Sequence, residues 1–289
     1  MISLRSATGA DIEGIATVVR DVWKQAILPD VCRAHIEDNT HALWVATEDE
    51  EVAGFASAFL TAVADTRRWE IDLLAVRRAS QGQGLGTHLI ERISEAGQPL
   101  GVSLTQALIR VENVASQRAF ENAGFTTDAR VHRLFLWPPE PGAAAGPCPG
   151  AVALLPVDTL TYRGLWIEGL ASVPPEAQHR AVAAARSMIA REGHANTGAV
   201  IPVDEEHLLS PDLREDAAMH GEYYWFTGSQ SVKRNAQRSE HGPCAARPSS
   251  CAPLAHPRSP RPKGSVYLTP VQLPRPLVPA CFGPASRQS

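Results

Sequence analysis

The sequence predicts an α/β protein in which strands and helices alternate along one chain, and three local patterns carry that prediction. Residues 69–76 form an apolar, β-prone run that meets the glycine-dense turn Gln81-Gly82-Gln83-Gly84-Leu85-Gly86-Thr87, and a helical pattern follows with Leu85, Leu89, Ile90 and Ile93 on one face. Residues 41–47 and 52–62 are apolar runs separated by the acidic turn Glu48-Asp49-Glu50-Glu51, which reads as an antiparallel hairpin. Asn113 opens another helical pattern, and Gly124 closes it as a C-terminal cap.

In order, residues 2–5 read as a short first strand. Thr8 and Asp11 have capping-box spacing before Ile12, Ile15, Ala16, Val19 and Trp23, which share one helical face. Pro29 is expected to end that helix, with a weakly patterned, partly helical stretch to about Thr40. The hairpin, the strand with its glycine turn, and the helix come next. Residues 104–111 form a further strand, residues 113–123 a helix, and residues 125–137 extended chain.

Glycines at a helix start let the backbone approach a ligand closely, and the unpaired N–H groups there favour phosphate. A Walker loop would need lysine before the threonine, where Gly86 stands, and a dinucleotide fingerprint would need Gly-x-Gly-x-x-Gly rather than the alternating Gly82, Gly84 and Gly86. The segment Gln81-Gly82-Gln83-Gly84-Leu85-Gly86 instead resembles the pyrophosphate loop of the GNAT superfamily of acyl-CoA N-acyltransferases. A second stretch is similar to the same family: Asn113-Val114-Ala115-Ser116 through Phe120 to Gly124-Phe125 follows its pattern Asn-x-x-Ala/Ser-x-x-x-Tyr-x-x-x-Gly-Phe. The order of elements also resembles that fold, which implies a mixed, mostly antiparallel central sheet flanked by helices over residues 1–138.

The resemblance implies an N-acetyltransferase acting on acetyl-CoA and a small-molecule or peptide amine, without a metal. The pantetheine arm would lie along Leu74, Ala75 and Val76. The pyrophosphate would rest on the amides of Gln81, Gly82, Gln83, Gly84, Leu85, Gly86 and Thr87, with Asn113, Ser116 and Phe120 on the cofactor side. Glu70 falls where several family members place the base, and alternation along a strand would put Glu70, Asp72 and Leu74 on one face, so Glu70 and Asp72 are the candidate catalytic carboxylates. An ion pair with Arg67, Arg68 or Arg110 is the structural alternative for both, and a plain N-cap is that for Asn113. The family's usual proton-donating tyrosine is replaced by Phe120, and all tyrosines (Tyr162, Tyr223, Tyr224, Tyr267) lie beyond the first unit. Either the thiolate leaves unaided or through water, or Tyr223 or Tyr224 is lent across; core packing is the simpler reading of that pair. Trp23, Trp44 and Trp69 read as core, and the histidines, without metal spacing, as surface or capping residues.

Residues 139–150 are a linker by composition, or the loop of a closing hairpin with residues 151–157 as its strand. Residues 161–171 echo residues 69–75, and residues 175–191 are helical, which suggests that residues 151–228 are a degenerate copy of the first unit. Its turn, Ser172-Val173-Pro174-Pro175-Glu176, has no glycine, so no cofactor is expected there. From Ser229 the composition turns to Pro, Ser and Arg with Glu240 as the sole acid, and residues 229–289 are expected to be disordered.

At 289 residues, 44% hydrophobic, 20% charged and with net charge −4, the chain reads as soluble and globular and does not suit a dedicated nucleic-acid binder. No apolar run is long enough to span a membrane and the start lacks a signal-peptide pattern, so cytoplasmic residence is expected. The five cysteines read as free thiols. A homodimer is compatible with this reading. The rival reading is a non-catalytic acyl-CoA-binding or regulatory module of the same fold.

Overall fold

A computed structural model describes residues 1–63, 65–141 and 150–229. The expected disorder of the tail, apart from Ser229, and most of the expected linker lie outside the described residues. The chain opens with β1 (Ile2–Ser6) and then α1 (Ile12–Trp23), whose entry is fixed by Asp11: its carboxylate accepts from the Thr8 N–H at 2.8 Å and is paired to Arg5 at 2.7 Å. Helix α1 does not run to Pro29. It stops at Trp23, where Lys24 takes a left-handed conformation and its N–H bonds back to Arg20. Pro29 instead begins α2 (Pro29–Glu37), a position where its missing N–H costs nothing.

The hairpin forms as expected, from β2 (His41–Glu48) and β3 (Glu51–Val63), with Asp49 and Glu50 both at positive φ in the turn. Strand β4 (Thr66–Val76) follows, then α3 (Leu85–Ala96), β5 (Leu104–Arg110), α4 (Val114–Asn122), β6 (Thr126–Thr127) and β7 (His132–Trp137). Gly124, at φ 86°, closes α4. Beyond residue 150 come β8 (Ala153–Asp158), β9 (Arg163–Glu168), α5 (Pro175–Glu192), β10 (Asn196–Pro202), α6 (Pro211–Asp216) and β11 (Ala218–Ser229).

The strands form one continuous sheet in the order β1-β2-β3-β4-β5-β11-β7-β10-β9-β8, with β6 pairing β11 at the side. Its pairs are antiparallel except β4 with β5 and β9 with β10, each joined through a helix, α3 or α5. Two strands are exchanged between the halves of the chain. β11 lies between β5 and β7, and β7 lies between β11 and β10, so each half's sheet includes a strand from the other. Strand β8 pairs β9 at the far edge, not a strand of the first half as the closing-hairpin reading would need.

Helices α3 and α4 cover one face through Leu85, Leu89, Ile90, Ile93, Ala119 and Phe120 against Trp69, Ile71, Leu74 and Val76. Helices α1 and α2 cover the opposite face through Ile15, Val19, Trp23 and Cys32 against Leu73 and Ala75. Trp23 and Trp69 are buried and the partly buried Trp44 packs on the core, as expected. Among the described residues no helix is long and apolar enough to cross a membrane.

Candidate active site

Strand β4 does not alternate throughout. Ser57 and Ala58 of β3 pair with Leu73 and Ile71, leaving Asp72 as the extra residue of a β-bulge. The expectation that Glu70, Asp72 and Leu74 share one face is therefore corrected. Leu74 and Val76 join Trp69 and Ile71 under α3, whereas Leu73 and Ala75 face α1. Glu70 and Asp72 nonetheless line one cavity together.

Glu70 is 6% exposed, and its Oε1 accepts from the Thr61 hydroxyl at 2.7 Å and from Gln106 Nε2 at 3.0 Å. The anticipated arginine pairing is partly present, since Arg68 Nε stands 3.6 Å away while the same guanidinium binds Glu168 of β9 at 2.7 Å. Burial pushes the Glu70 carboxyl up to about 7, and the Thr61, Arg68 and Gln106 contacts offset only part of the rise. Asp72 is pushed up to about 6, again by burial, against the stabilising hydroxyl of Ser57 at 2.6 Å. Its second oxygen, Oδ2, is buried and has no partner.

Strands β4 and β5 pair only through Arg68–Leu104, Trp69–Thr105 and Glu70–Gln106, and then part. Beyond the fork Leu74, Ala75 and Val76 continue to pair with β3 on their other side. The edge of β4 that faces β5 is thus outside the ladder. Its far end runs into the glycine turn, where Gly82 and Gly84 both have φ 79° and Gly84 is the N-cap of α3, with no side-chain cap. A cavity there is lined by Val76, Gln81, Gly82, Gly84, Leu85, Gly86 and Thr87, and from α4 by Arg118, which sequence reasoning missed. Gln83 is not among its lining residues. The Gln81 side chain has a structural task, donating from Nε2 to the Val76 carbonyl at 2.8 Å.

The residues expected on α4 are placed differently. Asn113 is the helix N-cap, its Oδ1 accepting from the Ser116 N–H at 3.1 Å, while Asn113 Nδ2 and Ser116 Oγ are buried without partners. Phe120 is 0% exposed and lines neither cavity, because Phe125 at 5.0 Å and Phe226 at 6.1 Å enclose its ring.

The wall facing Glu70 and Asp72 comes largely from the second half, through Val157, Thr159, Tyr162, Trp166, Tyr223 and Trp225. Tyr223 is 2% exposed and its ring packs with Leu134 and Leu136, yet its hydroxyl is buried without a partner, and burial pushes it up to about 12. Tyr224 points the other way, onto the core beneath α4. Alternation along residues 223–225 was the available signal for Trp225.

The reading of every histidine as surface or cap is also corrected. His35 is buried, stacks on His41 at 4.2 Å, and faces Asp158 Oδ1 of β8 at 3.3 Å; His41 in turn faces Asp38 at 3.0 Å and the Asp158 carbonyl at 3.1 Å. These groups, with Arg163 on the other Asp158 oxygen, bind the second half to α2 and β2.

The family model described as Acetyltransferase (GNAT) family matches residues 13–125. The amino-acid acetyltransferases of Neisseria meningitidis serogroups A and B are 31% identical over 107 residues, or 37% of this chain and 24% of theirs. The chain thus spans about a quarter of the length of these curated relatives. Among solved structures, the GCN5-related glucosamine N-acetyltransferase region of a fungal multi-domain GH3 β-N-acetylglucosaminidase aligns with a TM-score of 0.52 at 10% identity, covering 79% of this chain and 38% of that one. The yncA structure of Salmonella typhimurium, solved with its cofactor acetyl-CoA, is 25% identical with a TM-score of 0.39, over 45% of this chain and 82% of that one.

Proposed function

We propose that this chain, whose residues 13–125 belong to the acetyltransferase (GNAT) family, transfers an acetyl group from acetyl-CoA to a primary amine with Glu70 as the base. The observation that supports this most is the fork: β4 leaves β5 just beyond a buried Glu70, and the released edge leads straight to the glycine turn. A cofactor arm extended along Leu74, Ala75 and Val76 would carry its thioester toward Glu70 and its pyrophosphate toward residues 81–87, where helix-start amides and Arg118 suit an anion.

An ammonium ion has no lone pair, so the amine must lose a proton before or as it attacks. A carboxylate with its pKa near 7 is matched to accept that proton at neutral pH. The nitrogen then bonds to the acetyl carbon, the carbon–sulfur bond breaks, and the departing sulfur takes a proton. Tyr223 is our candidate donor for that last step, because it is a residue of the cavity that Glu70 lines, its buried hydroxyl has no other partner, and Phe120 has no hydroxyl. Residues 151–228 fit a degenerate second copy without cofactor, since β9–α5–β10 repeats the order of β4–α3–β5.

Thiol release from acetyl-CoA in the presence of an amine panel tests the reading. Release with at least one amine, lost in Glu70→Gln, supports it. Binding of acetyl-CoA without release for any amine would favour the rival module, for which the absence of tyrosine at Phe120 speaks.

A further inference from the structure

The cavity beside Glu70 and Asp72 has a chemical character that says what kind of amine it takes. Its described lining includes Phe59, Tyr162, Trp166, Tyr223 and Trp225 together with two carboxylates, and among the described residues no lysine, arginine or histidine lines it. Trp166 and Trp225 meet edge to face, with ring centroids 6.3 Å apart. Two residues of this wall, Asp72 and Tyr223, each hold a polar atom buried without a partner, Oδ2 and the hydroxyl, and Arg68 Nε, 3.6 Å from Glu70 Oε1, is a third beside them. Orphaned buried polar groups are rare, and a pair on one cavity calls for a ligand that completes them.

We infer that the acceptor is a compact organic amine with an aromatic or other apolar body and no carboxylate, its ammonium group drawn to the Asp72 carboxylate among the aromatic rings. The inference rests on the acetyltransferase reading above and adds the substrate class. The cationic end is drawn by Asp72 and by the faces of the surrounding rings, and the apolar body replaces water against Trp166, Trp225 and Phe59. An α-amino acid would bring its own carboxylate beside Glu70 and Asp72, where the nearby Arg68 already serves Glu70 and Glu168 and no cation lines the cavity itself, and like charges set together are strongly disfavoured. A polyamine would place further ammonium groups against apolar walls. Work is thereby divided: Asp72 holds the ammonium form, and Glu70 takes the proton that must leave before attack.

The test is steady-state acetyl transfer by the full chain with acetyl-CoA and four probes: 2-phenylethylamine, phenylalanine, spermidine and a tripeptide with a free N-terminus. The expected result is a kcat/KM for 2-phenylethylamine about 10²-fold or more above that for phenylalanine, with the other two also poor. Asp72→Asn is expected to raise the KM for 2-phenylethylamine by roughly 10–100-fold while kcat changes less and acetyl-CoA affinity is kept, the last serving as the folding control. Equal or better use of phenylalanine, spermidine or the tripeptide overturns the inference and leaves the acetyltransferase reading standing. Tryptophan fluorescence read without acetyl-CoA separates the remaining case. If no probe turns over, saturable quenching by 2-phenylethylamine that is lost in Asp72→Asn upholds the site while the catalytic reading fails, and no quenching overturns the inference.

Discussion

Two strand-to-helix junctions of this molecule, β4 to α3 and β9 to α5, have the same connectivity and opposite chemistry. At the first, β4 passes through Gly82 and Gly84 into α3, whose N-cap is a glycine and whose opening turn faces a cavity. At the second, β9 passes through Gly169 into a short turn and then α5, whose N-cap is Pro174 and first residue Pro175. Proline removes the amides that would bind an anion. The second junction is also closed by its own side chain, since Gln178 donates to the Val173 and Leu208 carbonyls and accepts from the Ser210 N–H. A strand, a turn and a helix therefore do not make a phosphate site by topology; which residues occupy a few turn positions decides it.

The largest expected effect separates the two acidic residues linked by Arg68. Glu70→Gln should lower turnover roughly 10²–10⁴-fold at neutral pH, whereas Glu168→Gln on β9, which lies outside the cavity lining, should change it only a few-fold. Thiol-release kinetics on both variants check this, and equal losses would break the contrast. If Glu70 is the base, the same carboxyl should set the pH dependence. Because Glu70 is raised to about 7, kcat/KM should climb as pH rises through that value, and Glu70→Gln should lose that limb. The stability sign runs the other way. A carboxyl whose folded pKa is raised above 4.5 favours folding while protonated, and that contribution is lost as pH rises from about 4.5 through about 7. Glu70→Gln should accordingly melt higher than the parent above pH 7 although it is nearly inactive, which thermal melts at pH 5 and 8 would reveal.

Next in size is a matched pair of glycines. Gly84 and Gly169 have φ of 79° and 78°. An added Cβ at Gly84 meets only His88 Cε1 at 3.7 Å, whereas at Gly169 it meets the Ala151 carbonyl oxygen at 2.9 Å. Gly84→Ala should weaken acetyl-CoA binding by about tenfold through backbone strain of ~1–2 kcal/mol. Gly169→Ala should lower Tm by about 2–8 °C and leave acetyl-CoA affinity unchanged. Calorimetry and melting curves on both variants test the pairing. The smallest effect is expected from Pro174→Gly with Pro175→Gly. Restoring those amides should give no second acetyl-CoA site, because Gln178 still closes the turn; a stoichiometry of two would show that the prolines alone had silenced it.

What could be read from the sequence follows the range of the interactions. The glycine turn, the acidic hairpin, the Gly124 cap and the core tryptophans are local patterns, and they formed where the residues placed them. The bulge at Asp72 was hidden because alternation is assumed until a partner strand breaks it, and that partner, Ser57–Ala58, lies on the preceding strand. His35 and Asp158 are separated by 123 residues, so no spacing rule could join them. Tyr223 could be named as a visitor from the second half only because the first half lacks tyrosine, and the strand exchange that brings it there had no signature in either strand. The enclosure of Phe120 was hidden for a related reason: a motif position gives an address on a helix, while Phe226, which packs against the ring, arrives from β11.

The exchange of β7 and β11 also governs the order in which the sheet can be built. β7 ends at Trp137 and β11 begins at Ala218, so a nascent chain that has emerged through residues 13–125 still exposes the flank of β5. Until β11 slots in, neither the Tyr223 hydroxyl nor the Trp225 ring exists near Glu70. Ribosomal synthesis must therefore run almost a full second half before the first is complete, and a fragment cut at residue 138 would be an unfinished sheet with a sticky margin rather than a smaller whole.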